Sequence, residues 1–355
     1  MFHRTRKLIR ACTLALVVTV IGCKSSIKDT VDIIDGVDRK QIDTSKLAIN
    51  AFANDGRFGS ISSQFSEIRS TLGISRVRVL MAWDDNVQPT PRSEPNFSFY
   101  DNVIAGLAPG QSALIVLTGV PTWMNDRSQW IGGDAGRTFV ERWVQLAVNR
   151  YGDNPRVIGF QIGNEPNNPD FGINQTLGFV NDPVAYVAVL ARSYSVIQNR
   201  APRKKTVIAA TTALNQRFPE NRDYNRAMRD AGAEAFCDVW AAHIYGRQFE
   251  NIVRSGGVAD FLNGLSKPIW ITESGAQGVT KQLEYGEQMW PFLLEKVRNI
   301  EYIFIYQFTD SAPSSISYGL RTLDPQAPVS DLYTHLRSRK LSFVEKRVIN
   351  GNAKP

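Results

Sequence analysis

Histidine and cysteine are scarce. The 355 residues hold three of each: His3, His243 and His335, and Cys12, Cys23 and Cys237. So few soft ligands exclude zinc clusters, iron–sulfur centres and a disulfide scaffold. No metal and no cofactor is expected, with an oxygen-ligand ion such as calcium left open. An internal repeat of short period and a low-complexity linker are both missing, which speaks for one domain. The net charge is +7. Its basic residues are scattered, and the longest basic run, Arg203-Lys204-Lys205, follows Pro202 in a turn between a helix and a strand. No nucleic-acid partner is expected. Apolar residues at 43% and charged residues at 21% exclude a disordered or collagen-like chain. The length suits two average domains or one large α/β barrel.

The first residues read as a targeting segment. Arg4, Arg6, Lys7 and Arg10 precede an apolar run, Ala11 to Ile21, that is too short to span a bilayer comfortably. The end, Val20-Ile21-Gly22-Cys23, resembles a bacterial lipoprotein signal, in which Cys23 is lipidated and becomes the first residue. A plain signal peptide or a retained anchor is the alternative. Lys24 after Cys23, in place of aspartate, resembles the outer-membrane class of Gram-negative lipoproteins. The expectation is an exported protein of the bacterial cell envelope, touching the membrane through a lipid anchor only, or else periplasmic or secreted. Loss of residues 1–22 removes four of the 41 basic residues and none of the 34 acidic ones, leaving +3. Residues 23–45 read as a polar tether, 46–345 as the folded domain and 346–355 as a polar tail. Cys237 then stands alone and needs no disulfide.

From Leu47 strand and helix alternate eight times. Apolar, often β-branched runs recur at Leu47–Phe52, Val77–Ala82, Ala113–Thr118, Val157–Ile162, Thr206–Ala210, Val239–Tyr245, Pro268–Thr272 and Tyr302–Tyr306. Helical faces lie between them: Phe65, Ile68 and Leu72; Phe139, Trp143, Leu146, Ala147 and Arg150; Tyr186, Val189, Leu190, Ser193 and Ile197; and, more loosely, Leu283, Met289, Phe292, Leu293 and Val297. Alternating units with continuous apolar strands predict a parallel sheet covered by helices, and eight units close a (β/α)₈ TIM barrel. A doubly wound sheet is the alternative, but Asn54-Asp55-Gly56 after strand one is no Gly-rich phosphate loop.

A barrel carries its chemistry at the C-terminal ends of its strands. Strand four ends Gln161-Ile162-Gly163-Asn164-Glu165-Pro166, and strand seven ends Ile271-Thr272-Glu273-Ser274-Gly275. By strand alternation Glu165 shares a face with Gly159, Gln161 and Gly163, and Glu273 with Ile269 and Ile271. Both carboxylates are thus expected in the barrel mouth, facing each other. Cleavage of a glycosidic bond needs two carboxylates flanking the bond, one protonated and one ionised.

Asn164-Glu165-Pro166 with Trp270-Ile271-Thr272-Glu273 resembles the clan of retaining (β/α)₈ glycoside hydrolases, nearest to families 5 and 39. The resemblance covers about residues 47–341. It implies Glu165 as acid/base, Glu273 as nucleophile and Asn164 as a hydrogen-bond partner of the sugar 2-hydroxyl. It further implies Arg78 beside the nucleophile, where a cation keeps Glu273 ionised; Arg76 has the same parity. His243 and Tyr245 resemble the clan's strand-six pair, the tyrosine bonding the nucleophile. Trp123 and Trp83 resemble sugar platforms, with a place in the core as the alternative for each. Many members end strand eight with a tryptophan; here Gln307 and Phe308 occupy that stretch, a departure at the sugar-binding floor.

Three functions stay open on the sequence: a retaining glycosidase of a carbohydrate substrate, a barrel that binds glycans without cleaving them, and a structural envelope lipoprotein. Moderate loops after strands two and four, with no large lid, lean towards an open, endo-acting cleft. The sugar and the oligomeric state are not legible.

Overall fold

The computed structural model describes residues 36–339. The residues read as a signal, Cys23, most of those read as a tether and those read as a polar tail lie outside the described residues. The chain divides into two compact units, Met1–Arg39 and Lys40–Pro355, and the barrel lies in the second.

Eight parallel strands form one sheet: β1 Leu47–Asn50, β2 Arg76–Ala82, β3 Ser112–Thr118, β4 Val157–Ile162, β5 Lys205–Ile208, β6 Trp240–Tyr245, β7 Ile269–Gly275 and β8 Ile300–Ile305. Their spatial order is β5-β4-β3-β2-β1-β8-β7-β6, sequential once the ends are joined. The join is thin: a parallel bridge Val207–Val239, with Ile208 N donating to Val239 O at 3.2 Å and Asp238 N to Thr206 O at 2.8 Å. The fold is therefore a single (β/α)₈ TIM barrel. Most strand residues are buried on both faces, which is why the strands read as largely apolar runs.

The helices seat on the outside through the faces their periodicity exposes. Phe65, Ile68 and Leu72 are buried, as are Tyr186, Val189, Leu190, Ser193 and Ile197 on the helix Pro183–Arg200. Two faces differ from the sequence expectation. Between β3 and β4 the helix Ala135–Phe139 passes through a π turn, Val140–Val144, into Gln145–Tyr151. One wide turn rotates the residues C-terminal to it. Val144, Ala147, Val148 and Tyr151 face inward, Leu146 is half-buried, and Arg150 is exposed and bonds Asp101. In the helix Gln282–Lys296, Tyr285, Met289 and Leu293 are buried while Leu283 is only half-buried and Val297 caps the end.

Packing also starts earlier than Leu47. Ile42 is buried at 2% exposure, and its carbonyl accepts from Arg339 Nη1 at 2.8 Å. An apolar side chain with a seat on the barrel does not stay in a solvated tether.

Candidate active site

The mouth of the barrel is a cleft of about 840 Å³ whose wall includes Asn164, Glu165, Tyr245, Glu273, Tyr306 and Tyr318. The two glutamates arrive there by different backbone devices, neither of them plain strand alternation.

On β4 the regular strand ends at Ile162. Gly163 (φ +75°) and Glu165 (φ +44°) are then both left-handed. Glycine adopts that conformation without a steric penalty, and its presence at 163 is what the turn requires. The turn lets the neighbours Asn164 and Glu165 both face the cleft, which an extended chain forbids. A left-handed glutamate is itself uncommon. It is fixed by Glu165 N donating to Ala210 O at 2.9 Å and by the buried Asn174, whose Nδ2 donates to Glu165 O at 2.7 Å.

On β7 the register shifts. Trp270 pairs with Ala241 and Tyr302, whereas Glu273 pairs with His243; Ile271 and Ser274 pair with Ile303 and Ile305, three residues of β7 against two of β8. The extra residue inverts the alternation. Glu273 therefore shares its inward face with Trp270, not with Ile269 and Ile271, a correction to the simple parity. Ser274 is left to face outward, where it bonds Tyr285 and Trp290. Gly275 comes next because a Cβ there would lie 2.5 Å from Tyr306 O.

Glu273 is held on both oxygens. Oε1 accepts from Arg78 Nη1 at 2.7 Å, and Oε2 accepts from the Tyr245 hydroxyl at 2.8 Å. Arg78 is wholly buried and donates also to Asn50 Oδ1 (2.7 Å), Gln161 Oε1 (3.0 Å) and Asn164 Oδ1 (2.6 Å). A buried guanidinium needs this many acceptors. Arg76 instead lies over the Tyr302 ring at 4.2 Å, towards the other end of the barrel, which separates the two arginines. Asn50 and Gln161 were not among the residues the sequence pointed to. Their signal was a polar residue inside an otherwise apolar strand.

His243, also wholly buried, stands between the carboxylates. Its Nδ1 is 3.0 Å from Glu165 Oε1, and its Nε2 is 3.4 Å from Glu273 Oε1. Glu165 Oε2 accepts from Asn168 Nδ2 at 3.1 Å. Burial pulls the Glu165 pKa up, but the His243 hydrogen bond and charge, the Asn168 bond and Arg78 outweigh it and hold the carboxyl below its ordinary value. Tyr245 is pushed far up, first by burial and then by the charge of Glu273, so it is a hydroxyl donor throughout.

Three tyrosines close the floor. Tyr245, Tyr306 and Tyr318 meet edge to face with centroids 5.5–5.8 Å apart. Tyr306, one position before the stretch singled out in the sequence, supplies the aromatic wall after β8. Gln307 is not on that wall; its backbone bonds Tyr318 and Leu320, and Phe308 is core. Both tryptophans are also off the wall. Trp83 is wholly buried, stacked on Trp143, with Nε1 on Gln88 Oε1 at 2.8 Å. Trp123 packs edge-on against Trp83 at 5.3 Å, its Nε1 on Gln88 O. Helix packing claims these rings, so a sugar-platform role is replaced by a core role for Trp83.

One atom each of Glu165, His243 and Glu273 lies within 4.8 Å of the other two. These three are the metal-capable group among the described residues, yet the donor set does not suit a cation. Glu273 already bears the Arg78 guanidinium on Oε1, and a second positive charge beside it is repelled.

No protein-family model and no curated protein matches the chain. Solved structures do. A family 39 glycoside hydrolase from Xanthomonas axonopodis pv. citri matches with a TM-score of 0.61 at 15% identity, over 87% of this chain and 68% of that one. The likeness is one of fold, the (β/α)₈ barrel. A monomeric β-xylosidase from Caulobacter crescentus matches with a TM-score of 0.62 at 15% identity, over 86% and 70%. A β-glucosidase from Thermotoga maritima matches with a TM-score of 0.56 at 15% identity, over 85% and 99%. A further family 39 structure, from Bacteroides cellulosilyticus, is covered over 63% of its length, so the chain spans about two thirds of the family 39 structures it resembles.

Proposed function

We propose that the protein is a retaining glycoside hydrolase acting on β-linked sugars. One observation carries the reading: Glu165 and Glu273 face each other across one cleft, with atoms of both within 4.8 Å of His243 and of each other. Retaining enzymes hold their carboxyl groups about 5–5.5 Å apart, whereas inverting enzymes leave roughly 6.5–9.5 Å for a water.

Glu273 is the nucleophile. Arg78 and Tyr245 fix both its oxygens and aim the carboxylate at the anomeric carbon, and Arg78 balances its charge. Glu165 donates a proton to the leaving oxygen as the C–O bond breaks and the glycosyl–Glu273 ester forms. Glu165, now ionised, takes a proton from water, which attacks the same carbon and releases the sugar with configuration retained. Asn164, oriented by Arg78, is placed for the sugar 2-hydroxyl. The endo-acting mode expected from the moderate loops belongs to the same proposal. Export and lipidation at Cys23 put this chemistry at the cell envelope in the same proposal; labelled palmitate that survives Cys23→Ser would remove that part.

The test is product analysis on aryl β-glycosides and β-linked polysaccharides beside Glu273→Gln. Turnover by the wild type alone supports the reading. Equal release by both proteins overturns it.

A further inference from the structure

Among the described residues four large apolar side chains are exposed: Phe99, Phe171, Val184 and Ile316. Exposure of single apolar residues is ordinary. The distribution here is not, because both aromatic ones lie on the rim of the cleft that holds the two glutamates. Phe171, at 39% exposure, sits six residues after Glu165 on the same loop.

That loop is tied to the proton donor. Asn174 is buried at 1% exposure, and its Nδ2 donates both to Glu165 O (2.7 Å) and to Asn168 O (2.8 Å). Asn168 in turn donates to the Glu165 carboxylate. Asn174 N also donates to Phe171 O at 2.9 Å, so the loop that carries the ring is hydrogen-bonded to the residue that would protonate the leaving oxygen.

The cleft also continues on this side. A depression of about 420 Å³ shares Thr212, Ala213 and Gln216 with the main cleft and runs between Asp170 and Arg217. A third, of about 800 Å³, shares Arg217 with it and reaches Tyr224. Amides and hydroxyls such as Asn168, Asn221 and Tyr224 are the largest group on the walls of these two depressions and match sugar hydroxyls, while Asp170, Arg217 and Glu220 add charges of both signs.

Resting on the glycosidase reading, we infer that this groove binds the leaving-group half of an oligosaccharide, with Phe171 as the platform for a ring beyond the cleaved bond. The chemistry fixes the side: Glu165 protonates the leaving oxygen, so the departing sugars lie against the loop that carries Glu165. An aromatic face covers the apolar face of a pyranose, and the polar groove beyond receives the next rings. The substrate class is then a β-linked chain with more than one sugar on the leaving side, not a single small aglycone.

The test measures kcat/KM for β-linked xylo-, cello- and manno-oligosaccharides from disaccharide to hexasaccharide, and for the aryl glycoside of the same sugar, in wild type, Phe171→Ala and Arg217→Ala. In the wild type, kcat/KM rises with the length of the leaving half. Phe171→Ala lowers the ratio of long to aryl substrate roughly tenfold, a loss of about 1.4 kcal/mol, chiefly through KM. Arg217→Ala lowers it for the longest members alone. An equal loss on every substrate would mean a structural role, and a length-independent wild type would mean no groove; either outcome overturns the inference and leaves the glycosidase reading standing. Failure to cleave any member, aryl glycosides included, overturns both.

Discussion

His243 Nδ1 lies 3.0 Å from Glu165 Oε1, a hydrogen bond between a wholly buried imidazole and the proposed proton donor. With the carboxylate ionised, Nδ1–H is the donor. The contact favours the charged form of Glu165 and thereby governs when the acid is available. The sign comes from linkage: a lowered folded-state pKa contributes stability above the unfolded value, lost as pH falls through the folded one.

Catalysis has the opposite need. The free enzyme must hold a proton on Glu165, so kcat/KM should fall as pH rises through that lowered value and the optimum should be acidic. In His243→Ala the strongest opponent of burial is gone, and the alkaline limb should move to higher pH. A pH–rate profile of kcat/KM in both proteins checks this. An unmoved limb would detach His243 from proton transfer.

Glu165→Ala should lower turnover by about 10²–10⁴-fold for substrates with poor leaving groups, and far less for an activated aryl leaving group that needs no proton. Glu273→Ala should lose turnover on both kinds of substrate. Added azide should restore the second variant with inverted product, read by NMR of the glycosyl azide. Comparable activity in either variant and the wild type would remove the assignment.

Arg78 touches Glu273, Asn50, Gln161 and Asn164 in one buried cluster. Arg78→Met should therefore cost stability as well as activity. Leaving one member of a buried ion pair uncompensated costs about 3–5 kcal/mol. Urea unfolding measures the loss, and a midpoint close to that of the wild type would show that the cluster adds nothing to stability.

The cleft wall carries Asp84, Glu165 and Glu273 and, among its described residues, no lysine or arginine. Arg78, behind the wall and wholly buried, already makes four hydrogen bonds, one of them to Glu273. A uronic acid would meet the Asp84 and Glu165 carboxylates with no cation on the wall to receive its own, so an aryl β-glucuronide should be at least about a hundredfold poorer than the matching neutral glycoside. Parallel kcat/KM measurements decide it, and comparable rates would mean that a cation reaches the site.

Trp83 offers a contrast between packing and recognition. Trp83→Ala should destabilise by about 3–5 kcal/mol, the cost of a large core cavity, seen as a lowered unfolding midpoint. A raised KM at unchanged stability would return the ring to the substrate.

Much of the fold and the site was legible in one sequence because it is local. The apolar run of β3 is continuous since both faces of a barrel strand are buried. Glu165 and Glu273 stand out since charged residues at the ends of such runs need a reason. Parity was less dependable. It holds for Arg78, Leu80 and Ala82, and for His243 and Tyr245, but it resets at the left-handed Gly163 and at the β7 register shift, neither of which leaves a periodic trace. The tryptophans failed for a related cause. A ring's destination depends on partners from other elements, and Trp143 and Gln88 claimed Trp83.

The barrel and the pair of strand-end glutamates could be read along the chain, because hydrophobic period and terminal carboxylates are properties of short segments. Folding was needed to settle which arginine touches Glu273, that His243 stands between the carboxylates, and that Tyr306 rather than a tryptophan walls the cleft. Those facts depend on distances between residues far apart in the chain, and no local pattern encodes a distance that only closure of the barrel creates.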